Sequence, residues 1–259
     1  MQFRFFKRGL PIIAFALFVL FNGCKDSPTT SDGGQVSFTV RYVSTPRTTI
    51  LAKASAVMAV DSLRITRARV VVNNIDFEGG DEDSENDDME FSTAPMVVEL
   101  NLADSIQTLI AANVPFGSYS EIEIEIKAPD DSALAALSPA DRAAFADFVA
   151  GPRYSVIIEG VQYQNGATTP QPFVFSSAIY AEQESELNPP LVVSADNPMT
   201  NITMAVYSAV WFVGPGGALL DPTDPGNKTT IAQNIKQSIE LYKDDDQDGD
   251  DDDDDDGDD

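Results

Sequence analysis

Alternation between apolar and polar residues is the dominant pattern in the middle of the chain. It is clearest in the segment 119–127, YSEIEIEIK, where isoleucines alternate with glutamates. Successive side chains of a β-strand point to opposite faces of the sheet, so this period of two predicts a strand with one buried and one wet face. The two predicted faces are formed by Ile122, Ile124 and Ile126 and by Glu121, Glu123 and Glu125.

Similar patterns predict further strands along the chain. These segments are rich in Val, Ile, Tyr and Phe, and they cover 35–43, 62–77, 95–102, 154–164, 173–181, 191–195 and 201–212. Turn-forming residues separate them, as at Asn165-Gly166 and Asn188-Pro189-Pro190. About seven to nine strands without regularly alternating helices are typical of a β-sandwich. We therefore predict a mainly β, immunoglobulin- or prealbumin-like antiparallel sandwich over residues 35–243.

Two segments break the strand pattern and predict helices. In the first, near 131–150, Ser138 and Pro139 form an N-cap and first helical position, and Phe145 and Phe148 form an apolar stripe. The second is a C-terminal helix over about 230–242, with an apolar face formed by Ile231, Ile235, Ile239 and Tyr242. A further turn or two of helix is predicted within 104–112.

The N-terminus carries the pattern of an export signal. Three basic residues precede a nearly unbroken apolar run that is short for a membrane span. The run leads into Gly23-Cys24, which resembles the motif at which a bacterial lipoprotein is cleaved and lipidated. We predict a signal peptide over 1–23 and a lipidated Cys24 followed by a flexible tether, together 24–34. The alternative is an ordinary secretory signal with an incidental cysteine.

Cys24 is the only cysteine of the chain, which excludes a disulfide within it. Two or three acyl chains anchor a protein stably, so the predicted partner of the N-terminus is a membrane. Lys25-Asp26 resembles the acidic signals found in surface-exposed lipoproteins. We therefore expect a cell-envelope protein at the outer membrane or cell surface rather than at the inner membrane.

The net charge of −26 resides mainly in two acidic blocks. The segment 78–90 has eight acidic residues, and the tail 244–259 has 13 aspartates in 16 positions. Such blocks repel themselves and stay solvated, so we expect a hairpin connection at the first and a disordered tail at the second. Nucleic acid is excluded as a partner because phosphate binding needs clustered Lys and Arg.

The start of the tail also matches a calcium-binding pattern. It reads D-x-D-x-D-G, with a further acid at loop position 12, which makes the candidate metal ligands Asp244, Asp246, Asp248 and Asp255. An Asp-rich tract matches this pattern easily, and position 12 lacks the longer Glu. We favour a solvated polyanion that binds cations weakly over an ordered calcium loop. Calcium is the one candidate ion, and no other cofactor is predicted.

Catalytic chemistry finds little support in the residue inventory. The chain contains no histidine, which excludes Ser-His-Asp, Cys-His and His-based zinc chemistry within it. Hydrolysis by a carboxylate pair remains open, but no pattern brings two particular acids into one cleft. Trp211 and Phe212 are expected in the core rather than on a sugar-binding platform. We therefore predict a protein that is not an enzyme.

The order of motifs from 60 to 127 resembles a known family. A strand VDSLRI leads into ARVVVNNI, a strand ending LNL follows, and VPFGSYSEI then forms a Pro-x-Gly-x-Tyr hairpin. This order is similar to that of domain of unknown function family 4382, a group of prealbumin-like β-sandwich domains on prokaryotic lipoproteins. The resemblance covers about 60–212 and implies fold and location rather than chemistry.

These patterns predict a non-enzymatic cell-envelope lipoprotein with a binding or structural role. Three alternatives remain open. A pilus or adhesin subunit would need an exposed sheet edge for strand exchange, and a removable N-terminal strand starting near Gln35 would distinguish it. A carbohydrate-binding module would expose aromatic side chains, and a carboxylate-based hydrolase would place two carboxyls in a deep cleft. The protein or glycan partner is not identified by the sequence.

Overall fold

The computed structural model describes residues 33–44, 60–79, 89–103, 106–195 and 199–244. The predicted signal peptide 1–23, Cys24, and the tail positions Asp246, Asp248 and Asp255 lie outside these residues. The predictions made for those positions stay predictions.

The described part of the chain is mainly β, with eleven strands and four short α-helices. The strands are β1 (Gly33–Val43), β2 (Val60–Gly79), β3 (Met89–Ser92), β4 (Met96–Glu99), β5 (Ile106–Pro115), β6 (Gly117–Ile126), β7 (Val156–Gln164), β8 (Gln171–Ser177), β9 (Ala181–Val193), β10 (Met199–Tyr207) and β11 (Ile239–Lys243). The helices are α1 (Asp131–Ala136), α2 (Pro139–Ala143), α3 (Ala146–Val149) and α4 (Lys228–Lys236).

The strands form two sheets, as the predicted sandwich requires. Sheet A has the order β11-β10-β1-β5, and sheet B has the order β8-β7-β2-β6-β9 with β3 and β4 also paired to β2. The strand β1 is central in sheet A and runs parallel to β10, whereas its pairing with β5 is antiparallel. The sandwich is therefore antiparallel except at the β1–β10 pair.

The core lies between the inner faces of the two sheets. Phe38 of sheet A and Ile124 of sheet B are at most 2 % exposed, as the alternating pattern predicted. The indole of Trp211 and the side chains of Ile231 and Ile235 from α4 join the same cluster. Burial of large apolar side chains stabilises a fold by roughly 1.5–3 kcal/mol each, so the domain needs no disulfide.

The helical insertion covers one half of the outer face of sheet B. Ser138 caps α2 and Pro139 is its first residue, as predicted, while Phe145 and Phe148 pack on Val71 and Ile157 of the sheet. The helix predicted to begin at Ser138 is divided into α2 and α3, and the short helical piece predicted over 132–137 is α1. The other half of this face is not covered by the described helices. It carries the glutamates of β6 predicted from the sequence, Glu121, Glu123 and Glu125.

The insertion is held to the sheet by a buried cation. Arg69 of β2 donates to Asp147 of α3 at 2.7 Å and to Glu159 of β7 at 3.3 Å, and its guanidinium lies 5.4 Å from the ring centroid of Phe148. Arg69 is 7 % exposed, so it relies on these contacts in place of water.

Three local predictions are wrong. The C-terminal helix ends at Lys236, and the rest of the predicted helix is β11, because an open edge of β10 takes these residues as a fourth strand. The segment 104–112 is not helical where the structure describes it, since β5 begins at Ile106 and pairs with β1. The predicted turn at Asn188-Pro189-Pro190 lies inside β9. The register of β9 shifts there, so that its residues 187–190 lie opposite a single residue of β6, Ser120.

Candidate functional site

Among the predicted metal ligands, Asp244 is the one that the structure describes, and it is buried. It follows β11 directly, and its backbone N–H donates to the carbonyl oxygen of Asn201 on β10 at 3.1 Å. Its side chain is fully buried on the face of sheet A opposite the core. The first residue of the Asp-rich segment is therefore part of the folded domain, not of a solvated tail.

Polar residues from two neighbouring strands surround the Asp244 carboxylate. Thr203 of β10 donates its hydroxyl to Asp244 Oδ2 at 2.6 Å, and the Asn201 amide lies 3.4 Å from the same oxygen. The hydroxyl of Thr39, on β1, hydrogen bonds to that of Thr203. We call these four residues, Thr39, Asn201, Thr203 and Asp244, the polar cluster of sheet A. Each is at most 1 % exposed.

Two oxygen atoms of this cluster have no hydrogen-bond partner among the described residues. They are Asn201 Oδ1 and Asp244 Oδ1, and both are shielded from solvent. The Asn201 Nδ2 amide already donates to the hydroxyls of Thr39 at 3.3 Å and Thr203 at 3.2 Å. A buried acceptor without a donor is unfavourable by about 1–3 kcal/mol, and more if it is charged. The cluster therefore lacks a positively polarised partner.

The neighbouring tyrosine is also affected by this environment. Burial, with smaller contributions from Tyr207 and Asp244, raises the pKa of Tyr242 to about 12, although a hydrogen bond with Arg41 opposes this shift. Tyr242 pairs with Thr203 across the β10–β11 ladder, so it shares the outer face of sheet A with the cluster. Tyr242 is therefore neutral at ordinary pH beside Asp244.

A second concentration of acids covers the uncovered half of sheet B. Strands β2, β6 and β9 align so that acidic residues lie directly opposite one another in three rows. The rows are Glu78–Glu121–Glu186, Asp76–Glu123–Glu184 and Asn74–Glu125–Glu182. We call these nine residues the acidic face. Only its Glu121, Glu123 and Glu125 were expected from the sequence pattern, because β2 and β9 lie far away along the chain.

The acidic face resists full ionisation. Burial, and then the charges of Glu184, Glu78 and Glu186, raise the pKa of Glu121 above its ordinary value. Burial, and then neighbouring carboxylates led by Glu182, do the same for Glu123. Lys127 offsets part of this charge through its ion pair with Glu125 at 2.9 Å. In the part of the chain that the structure describes, no three acidic side chains are grouped closely enough to hold one metal ion.

A cleft opens at the end of the sandwich where β1 ends. It has a volume of about 310 Å³, and its wall combines the side chains of Tyr42, Leu63, Arg64, Ser208 and Phe212 with neighbouring residues of the same loops. Ser208 donates its hydroxyl to the Tyr42 oxygen at 2.7 Å, which fixes part of the wall. No carboxylate is found among the described residues of this wall. Small-molecule pockets start at roughly this size.

The loop after this cleft is held by one carboxylate. Asp221 accepts hydrogen bonds from Thr223, Gln162 and Gln164. Burial alone would raise the pKa of Asp221, but these hydrogen bonds hold it below its ordinary value. Because two of the donors come from β7, the Gly- and Pro-rich segment 214–227 is fastened to sheet B. No role for this segment follows from the sequence, and the hydrogen bonds of Asp221 give that residue a structural one.

The aromatic residues expected in the core are there. Trp211 and Phe212 are 1 % and 4 % exposed, and the Trp211 indole N–H donates to the Ser238 hydroxyl at 2.7 Å. Among the described aromatic side chains, Tyr180 is the strongly exposed one, at 52 %. One exposed ring does not make the row of aromatics on which sugars stack.

Sequence reasoning did not identify Asn201 and Thr203 as members of a site. They alternate with Ile202 and Met204, which is the ordinary pattern of a strand with one solvated face. Only the pairing of β10 with β1 and β11 brings them against Thr39 and Asp244.

Comparison of the chain with models of known protein families, with curated proteins and with solved structures finds no match in any of the three. Within the described residues, no helix has the length and apolar character to cross a bilayer.

Proposed function

We propose that this protein is a non-enzymatic lipoprotein of the cell envelope, attached through Cys24, whose β-sandwich has a binding or structural role. The proposed location in the cell envelope rests on the sequence, in which a basic and apolar leader is followed by Gly23-Cys24 and a polar tether. Membership of domain of unknown function family 4382 is part of this proposal. The two-sheet architecture is compatible with the prealbumin-like domains of that family.

The observation that carries the binding role is the position of the cleft. The tether joins the sandwich at Gly33, where β1 begins, and the cleft includes Tyr42 and Ser44 at the opposite end of β1. Residues 25–32 span at most about 30 Å when extended, so a lipid on Cys24 would hold the Gly33 end near the bilayer. The cleft lies at the end of β1 opposite to the tether, which leaves it open to soluble or surface partners.

The composition of the cleft supports binding rather than hydrolysis. Hydrolysis by acids needs two carboxyls about 5–10 Å apart across the substrate, and the described wall supplies none. Arg64 is the only charged side chain of that wall. A neutral or anionic ligand with an apolar portion is the chemistry that Arg64, Tyr42 and Phe212 would accept.

The lipid anchor and the membrane location can be tested by metabolic labelling. Bacteria expressing the full chain, or its Cys24→Ala variant, are grown with an alkyne analogue of palmitate and then fractionated. The expected result is labelled protein in the membrane fraction, with label and membrane retention both lost in the variant. Equal release of both chains into the medium would show an ordinary secreted protein and would reject the anchor.

A pilus or adhesin subunit is the second candidate, and the position of β1 favours it. This first strand of the described domain lies between β10 and β5 and buries Val36, Phe38 and Val40. Its removal would leave a groove with two unpaired edges and four empty core positions, since Tyr42 is buried there as well. Such a groove is the acceptor that strand exchange between subunits requires.

Strand exchange can be tested on the intact secreted chain, residues 25–259 with a protease site placed within 45–59. After cleavage, a labelled peptide of residues 33–43 is added in excess, beside the same peptide with Phe38→Asp. Stable incorporation of only the unsubstituted peptide would support a subunit that exchanges strands. Failure to incorporate either peptide would leave β1 as a permanent part of the sandwich.

A further inference from the structure

The cleft at the end of β1 has apolar side chains in its wall that the described domain leaves partly uncovered. Five of them are half-buried, namely Leu63, Ile65, Leu102, Val213 and Leu219. They come from β2, from the segment after β4 and from the loop that follows β10. Apolar side chains in a concave wall are stabilised when an apolar ligand removes them from water. The cleft is therefore suited to the hydrophobic part of a ligand.

The wall of the cleft is held in place by the protein itself. The side-chain amide nitrogen of Asn234 on α4 hydrogen bonds to three carbonyl oxygens of one turn, those of Val210, Trp211 and Val213, at 3.0, 3.2 and 2.8 Å. The Phe212 ring of the same turn lines the cleft and packs edge-on against a ring of β8, at 5.6 Å between the centroids. A wall that is ordered beforehand loses little entropy when a ligand binds, which favours affinity.

The single charge of the described wall is Arg64, and no described carboxylate forms an ion pair with it. The other two arginines of β2, Arg67 and Arg69, each contact two acids. Guanidinium groups form strong, two-pronged hydrogen bonds with carboxylates. An unpaired guanidinium beside an apolar cleft is complementary to a ligand that has an apolar body and an anionic head group.

The polar groups of the wall favour an alkyl chain over a peptide as the apolar body. The buried hydroxyls of Ser208 and Tyr42 hydrogen bond to each other at 2.7 Å. A peptide brings several backbone amides that need partners of their own, whereas an alkyl chain brings none. The chain has a net charge of −26, so it repels a doubly charged phosphate more strongly than a singly charged carboxylate.

We propose that the cleft binds a single-chain amphiphilic carboxylate, with its alkyl chain against Leu63, Ile65 and Phe212 and its carboxylate paired with Arg64. This inference rests on the binding role proposed above and names the ligand class of the same cleft. The volume of about 310 Å³ is at the lower limit of small-molecule pockets, so the ligand is a short- or medium-chain acid rather than a two-chain lipid.

The experiment is titration of the secreted chain, residues 25–259 without Cys24, with straight-chain carboxylates from hexanoate to dodecanoate below their micelle-forming concentrations. Trp211 is the only tryptophan of the chain, and its ring centroid lies 6.3 Å from that of Tyr42 in the wall. Its fluorescence, beside calorimetry, therefore reports binding. We expect saturable binding that tightens about fourfold with each added methylene and then levels off once the chain fills the cleft.

Two substitutions of the same kind separate the cleft from the surface around it. Ala209 lines the cleft, whereas Ala218 is an exposed residue of the following loop and does not line it. Ala209→Phe should fill the cleft and weaken binding of the best carboxylate about tenfold or more, while Ala218→Phe should change it less than about twofold. Circular dichroism checks that both variants fold. If Ala209→Phe does not fold, the chain-length series and the arginine variants decide.

Two arginine variants test the head group. Arg64→Gln and Arg67→Gln each remove one guanidinium from β2, but Arg67 is already paired with Glu99 at 2.6 Å. Arg64→Gln should weaken carboxylate binding about five- to tenfold, because it removes a charge-assisted hydrogen bond, and should leave binding of the alcohol of equal chain length unchanged. Arg67→Gln should leave both ligands within about twofold of the wild type.

Three results would overturn the proposal. Equal affinity for carboxylate, alcohol and alkylammonium of one chain length would show a cleft that does not select an anion, and would leave the binding role standing. Affinity that is independent of chain length, or that Ala209→Phe does not change, would place the ligand outside the cleft. Failure of the proposed membrane location appears separately, in the labelling of Cys24, which does not depend on the cleft.

Discussion

The domain concentrates carboxylates in two regions that differ in almost every physical respect. The acidic face of sheet B carries eight carboxylates in rows across three strands, partly or fully open to water. The polar cluster of sheet A holds one carboxylate, Asp244, with none of its surface exposed. The first region has many charges and much solvent, and the second has one charge and no solvent.

This contrast shows that the number of acidic groups does not decide which carboxylate lacks a compensating partner. On the acidic face, water and the long glutamate side chains disperse the repulsion, while burial, and after it the neighbouring carboxylates, raise the pKa of Glu121 and Glu123. In the cluster, one carboxylate oxygen is shielded from solvent and has no hydrogen-bond donor among the described residues. The smaller acidic group is therefore the one that requires a partner.

The largest expected effect comes from removing a donor in the cluster. Thr203→Val keeps the shape of the side chain but deprives Asp244 Oδ2 of its 2.6 Å hydrogen bond. We expect a loss of about 2 kcal/mol in the free energy of unfolding, because hydrogen bonds to charged groups contribute about 1.5–3 kcal/mol. Urea denaturation measures it. The control is Thr108→Val on the exposed side of β5, expected within about 0.5 kcal/mol of the wild type; equal losses in both variants would show that the cluster is not special.

A smaller effect of opposite sign is expected on the acidic face. Glu123→Gln removes a charge that faces Asp76 and Glu184, so it should stabilise the fold by about 0.5 kcal/mol at low salt. Glu99→Gln makes the same chemical change, but at an ion pair with Arg67 of 2.6 Å. It should be neutral or destabilising by less than about 1 kcal/mol, since both partners are largely exposed. Thermal melts of the two variants with the same sign would remove the electrostatic explanation.

The same acidic face should also make the stability depend on pH. Glu121 and Glu123 have raised pKa values in the folded chain, so the folded chain binds more protons than the unfolded chain between the ordinary and the raised value. Stability should therefore rise as the pH falls through that window and fall as the pH rises through it. The double variant Glu121→Gln/Glu123→Gln should be more stable than the wild type at about pH 7 by up to about 1 kcal/mol.

The advantage of this double variant should vanish below the ordinary pKa of glutamate, where both glutamates are protonated in the folded and the unfolded chain. Sodium chloride should reduce it at neutral pH, because the acidic face is exposed and its charges are screened. Urea midpoints across pH, for wild type and variant together, test this. An advantage that is independent of both pH and salt would point to packing rather than charge.

The local sequence pattern predicted the secondary structure correctly where a segment carried only one kind of signal. The alternation of 119–127 became β6 with its isoleucines buried, and Ser138-Pro139 began α2 as predicted. It failed where two signals overlapped. Ile231, Ile235 and Ile239 fit a helical period, but Ile239 begins β11, because hydrogen bonds from the edge of β10 outweigh the propensity of a short helical extension.

The tail was predicted as a solvated polyanion beginning at Asp244, and the structure shows this first residue within the folded domain. Asp244 is fully buried, because its backbone N–H continues the β10–β11 ladder to Asn201 and carries the side chain into the cluster. Composition averaged over a tract of aspartates could not separate its first member from the rest, since the difference lies in the strand before it.

The sequence by itself determined the mainly β class, the N-cap of α2 in the helical insertion, and the alternation of buried and wet residues in β6. Each of these depends on residues that lie close together in the chain. It also carries the whole case for the lipid anchor, which lies outside the described residues. Only the tertiary structure decided the register that assembles the acidic face from β2, β6 and β9, and the pairing that joins Thr39, Asn201 and Asp244. Those contacts join residues separated by tens to hundreds of positions, and no local period specifies which strand becomes the neighbour of which.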